Sequence, residues 1–196
     1  MIERVKNILM SPKTEWPIIE AENKPHQQVC TTYVLMLALI PAVASFIGYG
    51  LIGYSVLGVK IFGISTGIKQ SITQYITMVG GVYISAYIID LLADTFGARK
   101  DFNRAFSLVA YAYTPMFVAG IFYILPSLSW LASLAGLYGL YLLYIGLQPM
   151  MQAPAEKQTS YFVVSLLVMI VVSIVLGLIL GAIFAAIFIS SGASLF

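Results

Sequence analysis

Between Arg104 and Glu156 the chain carries no Asp, Glu, Lys or Arg. About 20 apolar residues are enough to carry a helix across a hydrocarbon layer of about 30 Å, and this interval holds two such lengths. It predicts a hairpin of two membrane helices turning near Pro126 and Ser127. The stretch is also dense in tyrosine, glycine and proline, residues that point to close helix contacts or to a site.

Composition agrees. Only 9% of the 196 residues are charged and 60% are hydrophobic, whereas soluble proteins carry about 25% charged residues. So little charge cannot clothe a water-facing surface, so the fold class is an all-α integral membrane protein in one domain. The net charge of +2 shows no basic stripe for nucleic acid. Cys30 is the single cysteine, so no disulfide can form within the chain, and one Cys with one His (His26) gives no metal-ligand spacing. No cofactor is expected.

Residues 1–28 read as a polar amphipathic segment and 29–196 as the membrane domain. Met1, Ile2, Val5, Ile8 and Leu9 share one helical face, which suits a short helix lying in the membrane surface. Ser11-Pro12 stops or restarts it, and Trp16 offers an interfacial anchor. Five spans follow, at about 29–53, 71–93, 105–125, 129–148 and 160–189, with a glycine-rich loop from Tyr54 to Gln70. Ala42-Val43-Ala44 mimics a signal-peptidase site, but the preceding segment is too long and too acidic, and the apolar run continues past it. This run is expected to stay in the chain.

The basic residues set the expected orientation. Arg4, Lys6, Lys13, Lys24, Arg99, Lys100, Arg104 and Lys157 fall on one side and Lys60 and Lys69 on the other. By the positive-inside rule the N-terminus is cytoplasmic, and five spans then leave the C-terminus periplasmic.

Tyr83, Tyr87, Asp90 and Asp94 are spaced four, three and four apart and share a helical face in the second span. An ionisable residue within a membrane helix costs about 2.5–3.5 kcal/mol on insertion scales, so it normally faces the bundle or water. Asp90 is either a proton, cation or substrate contact, or a headgroup-level partner of Arg99, Lys100 or Arg104. In the third span Tyr111 and Tyr113 precede Thr114-Pro115, where the proline frees a carbonyl that a hydroxyl such as Thr114 can satisfy. Tyr138 and Tyr141 share a face of the fourth span. Together these tyrosines and the two aspartates form a candidate polar intramembrane site. Ser173, Gly177, Gly181 and Ala185, each four apart, make a small-residue ridge for helix packing. There is no phosphate-binding glycine loop and no Ser-His-Asp set, so an enzyme is not expected.

Three ordered motifs carry a family resemblance. Leu108-Val109-Ala110-Tyr111-Ala112-Tyr113-Thr114-Pro115-Met116-Phe117-Val118-Ala119-Gly120 resembles the third-span motif of bacterial Yip-one (Ypt-interacting protein) domain proteins of the inner membrane. Leu137 to Leu147, followed by Pro149-Met150-Met151 and Glu156-Lys157, is similar to the next block of that family. Leu9-Met10-Ser11-Pro12-Lys13-Thr14-Glu15-Trp16 resembles its N-terminal Ser-Pro…Trp segment. The resemblance implies a five-helix bundle in a bacterial inner membrane with a cytoplasmic N-terminus. Eukaryotic relatives are associated with Rab-type GTPases and vesicle traffic, but their long N-terminal region has no counterpart here. Their Asp-Leu-Tyr-Gly signature has only Asp94-Thr95-Phe96-Gly97.

Two functional expectations result. One is a non-enzymatic scaffold or membrane-organising protein whose partners are the bilayer and another membrane protein or a second copy. The other is a channel or transporter for an ion, a proton or a small molecule, with a polar site around Asp90 between spans two, three and four.

Overall fold

The computed structural model describes residues 1–56 and 59–192, with side chains at 56–60, 173 and 176–192 outside that description. Two short helices, α1 (Ile2–Met10) and α2 (Pro12–Glu22), precede five long ones. These are α3 (His26–Ile52), α4 (Ile64–Phe96), α5 (Phe102–Ile124), α6 (Pro126–Met151) and α7 (Ala155–Gly192). All five contain windows long and apolar enough to cross a membrane, so the protein is an all-α membrane bundle.

The helices stop where the local chemistry says they should. Gly97 closes α4 in the left-handed region at φ 68°, which a glycine adopts without strain. The Asp101 carboxylate then caps α5 by accepting from the N–H groups of Asn103 and Arg104 at 3.0 and 3.3 Å. Pro12 sits at the first position of α2, where its missing N–H costs nothing. The α3–α4 connection departs from a plain loop: β1 (Tyr54–Val56) and β2 (Val59–Ile61) pair antiparallel, with Tyr54 opposite Ile61. Helix α4 begins at Ile64, because its polar first turns read as loop while still winding as helix.

Helix α5 is the axis of the bundle. Every residue from Arg104 to Ala112 is buried. Helices α3, α4 and α6 pack on it directly, and α7 closes against α4 and α6. The remaining flank, between α3 and α6, is filled by α1 and α2 folded back on each other. Trp16, Ile8 and Ile19 are all buried here. A free surface helix is therefore not what α1 forms, and Trp16 is a core residue rather than an interfacial anchor. Val5, Ile8 and Leu9 do turn inward as one face, but they meet protein instead of lipid, while Ile2 points away from it.

Candidate functional site

The polar residues singled out in the sequence do not converge on one place. On α4 the buried face runs through Met78, Val82, Ser85, Ala86, Ile89 and Ala93. Tyr87, 61% exposed, lies off that face, and Tyr83 is partly exposed while packing against Phe106. Asp94 is exposed and takes a hydrogen bond from the Lys100 ammonium at 3.0 Å. That bond, together with the carboxylate charge, holds the Lys100 amine above its ordinary value. Asp90 differs: its Oδ1 is buried with no hydrogen-bond partner. Of the three basic residues expected near it, Arg99 pairs with Asp101 and Arg104 with Glu20 and Asp101, while Lys100, bonded to Asp94, also feels the Asp90 charge. Beside it, the Tyr161 hydroxyl donates to the Ile89 carbonyl.

The four tyrosines of α5 and α6 in that candidate site serve three separate contacts. Tyr113 and Ser85 join their hydroxyls at 3.2 Å between α5 and α4. They form one wall of an apolar cavity of about 320 Å³ lined also by Met116, Gly136, Gly139 and Ile170. The Tyr138 hydroxyl donates to the Leu9 carbonyl at 2.7 Å, fastening α1 to α6, and Tyr141, partly exposed, stacks on Tyr138. Tyr111 meets Tyr33 edge to face, with ring centroids 4.7 Å apart. Among the described residues these tyrosines thus make separate contacts instead of gathering beside Asp90. Helical spacing placed each tyrosine on a face but could not say which neighbour that face meets. The Ser173, Gly177, Gly181 and Ala185 ridge lies on α7, and its side chains are outside the described residues.

The most developed polar constellation sits under the α1–α2 hairpin, against α3 and α5. The Arg4 guanidinium bridges the Glu15 and Glu22 carboxylates, which project from α2 two turns apart. It also lies 5.8 Å from the centre of the Tyr111 ring, a cation–π distance. Glu15 is buried, so its charge is tolerated only because Arg4 pairs with it. Lys24 adds a second cation to Glu22 at 2.9 Å. Burial would push the Glu22 carboxyl up, but Lys24 and Arg4 outweigh it and hold the group below its ordinary value of 4.5. Arg4, Glu15, Lys24 and Tyr111, with Glu3, Asn7 and Tyr33, line a cavity of about 430 Å³. Beneath it Tyr33 and Thr114 join hydroxyls at 2.7 Å, and Thr114 in turn donates to the Tyr111 carbonyl at 2.6 Å.

Nothing in the sequence pattern singles out Arg4, Glu15 and Glu22 as a cluster. The available signal was the spacing of seven between Glu15 and Glu22, which puts both on one face of α2. Among the described residues no three His, Cys, Asp or Glu side chains come together as a metal site.

Five apolar spans, ion pairs that among the described residues gather at one end, and hydroxyls spent on helix contacts define an integral membrane bundle. The chain belongs to the Yip1 domain family, whose pattern matches residues 6–179. It is similar to the inner membrane protein YohC of Escherichia coli strain K12, 28% identical over 134 residues, covering 67% of this chain and 68% of that protein. The YohC of Escherichia coli O6:H1 strain CFT073 matches to the same extent. No solved structure matches the chain significantly.

Proposed function

We propose that this protein is a non-enzymatic scaffold or membrane-organising component of a bacterial inner membrane, working through helix packing. The N-terminus is cytoplasmic and the C-terminus periplasmic on this reading, supported by the eight-to-two distribution of basic residues. The observation that carries it is how the intramembrane hydroxyls are spent. Those of Tyr33, Tyr113, Tyr138 and Tyr161 each bond a neighbouring helix, so these four hydroxyls serve helix packing. Its partners are the bilayer and another membrane protein or a second copy of the chain.

The test is reconstitution of the full chain in proteoliposomes loaded with ion- and pH-sensitive dyes. No flux above protein-free vesicles is expected. A flux that Asp90→Asn abolishes would favour the second reading, a channel or transporter. That reading draws its support from the buried, unpartnered Oδ1 of Asp90. Asp90 lines neither the cavity under the hairpin nor the apolar cavity between α4, α5, α6 and α7.

A further inference from the structure

The depth of the α1–α2 hairpin can be read along the spans. The Arg99 N–H donates to the Met151 carbonyl at 2.7 Å, so the α4–α5 loop and the end of α6 are level. From that level inward, α2 descends beside α6. The Arg104–Glu20 pair lies near the helix ends, and the Trp16 indole fills the notch at Gly146. A Cβ there would meet the indole at 2.7 Å. The hairpin's turn is deeper still, because the Leu9 carbonyl takes the hydroxyl of Tyr138. Tyr138 is thirteen residues from Met151, about 20 Å of helical rise. Half of a hydrocarbon layer is about 15 Å, so the hairpin reaches through the leaflet on the basic side. Ile2, Met10 and Ile18 on its outer side are exposed. Glu3, Lys6, Lys13 and Thr14 are exposed as well.

The other end of the bundle is drawn together instead. A Cβ on Gly67 of α4 would fall 2.6 Å from the Gly50 Cα of α3. One on Gly120 of α5 would fall 2.5 Å from the Pro41 Cβ of α3. Helix backbones therefore touch where the Lys60 and Lys69 end begins, while two extra helices widen the basic end.

We infer that the protein is a tapered body, wide in the leaflet that holds the α1–α2 hairpin, and that it concentrates in membranes convex on that side. An inclusion that adds area to one leaflet is accommodated best where that leaflet is already expanded, as with other wedges that insert from one side. The inference rests on the membrane-organising reading only in needing a chain that crosses the bilayer. Its failure would leave the expected absence of flux untouched.

The experiment uses the full chain, fluorescently labelled, in giant vesicles of phosphatidylethanolamine and phosphatidylglycerol from which narrow tubes are pulled. Orientation is scored by protease access to residues 1–24. With the hairpin outward, the tube-to-vesicle density ratio rises above unity and grows as the tube narrows. With the hairpin inward, the ratio falls below unity. The same ratio in both orientations, or unity in both, overturns the proposal. Removing residues 1–24 should bring both ratios toward unity, and sorting that survives the truncation would overturn the assignment to the hairpin. The orientation comparison needs no variant, so a truncated chain that fails to fold leaves the test intact.

Discussion

The Thr114 hydroxyl donates to the carbonyl oxygen of Tyr111 at 2.6 Å, the acceptor that Pro115 deprives of its helical N–H four residues on. With its proton committed to Tyr111, Thr114 accepts from the hydroxyl of Tyr33. One side chain therefore repairs the proline break in α5 and ties α5 to α3. Thr114→Val keeps the shape and removes both bonds, leaving two buried polar groups short of partners. The expected loss is about 1–2 kcal/mol, the range for interhelical hydrogen bonds in model membrane peptides. Thr114→Ser should restore most of it. Unfolding in mixed micelles with increasing SDS reads the difference, and equal midpoints for the Val and Ser variants would contradict the relay.

Trp16 and Gly146 make a second dependence across 130 residues. A side chain at 146 would collide with the Leu108 Cδ1 at 2.5 Å as well as with the indole. Leu108 is held inside the bundle, whereas the hairpin is joined to the spans by fewer elements. Gly146→Leu should therefore expel Trp16 and expose α2 while the five spans stay helical. The expected result is faster tryptic cleavage at Lys6 and Lys13 in detergent with an unchanged far-ultraviolet circular dichroism spectrum. Cleavage as slow as in the parent chain would mean that the notch accommodates the larger side chain.

Some of this organisation was legible in the sequence and some was not, and the difference follows periodicity. Charge-free length alone marks α5 and α6 as spans, because no other structure satisfies so long an apolar backbone in lipid. The role of Thr114 beside Pro115 is likewise local, since donor and acceptor lie three residues apart. The polar stripe on α4 was legible as a stripe, yet nothing in its spacing says whether it faces the bundle. The buried face through Val82, Ser85 and Ile89 wins because its small and aliphatic side chains let α5 and α7 approach. That leaves Tyr87 outside. The docking of α1 was hidden for a similar reason. An amphipathic helix suits a lipid surface and a protein groove equally, and the Arg4–Glu15 pair that decides between them spans a reversal at Ser11-Pro12.

Arg4 is the residue on which the hairpin's charge balance depends. Glu15 is buried, and removing the one cation paired with it among the described residues strands a carboxylate away from water. Breaking a buried pair from one side typically costs about 3–5 kcal/mol. Arg4→Ala should therefore undock the hairpin, whereas Arg4→Ala with Glu15→Gln should recover much of the loss by removing the stranded charge. Hydrogen exchange of the α1 and α2 amides measures it. A double variant that exchanges as fast as Arg4→Ala alone would show that the packing of Arg4 over Tyr111, and not the pairing with Glu15, is what matters.

Glu22 makes the same contact sensitive to acid. Its carboxyl is held below the ordinary 4.5 in the folded chain, by Lys24 and Arg4 acting against burial. A group depressed in this way adds stability at pH above its unfolded value, and that contribution disappears as the pH falls through the folded value. The hairpin should accordingly hold at neutral pH and loosen as the pH drops below 4.5, in the window where Glu22 takes up its proton. Exchange of Arg4 for Lys keeps a cation but gives up the fork that reaches both carboxylates, so it should move the loosening to higher pH. Glu22→Gln should remove its share of the acid dependence while leaving Glu15 paired. The readout is the rate of cleavage at Lys6 by an acid-tolerant lysine-specific protease across the acid range. A profile for Glu22→Gln that superimposes on the parent would show that the acid response comes from other carboxylates.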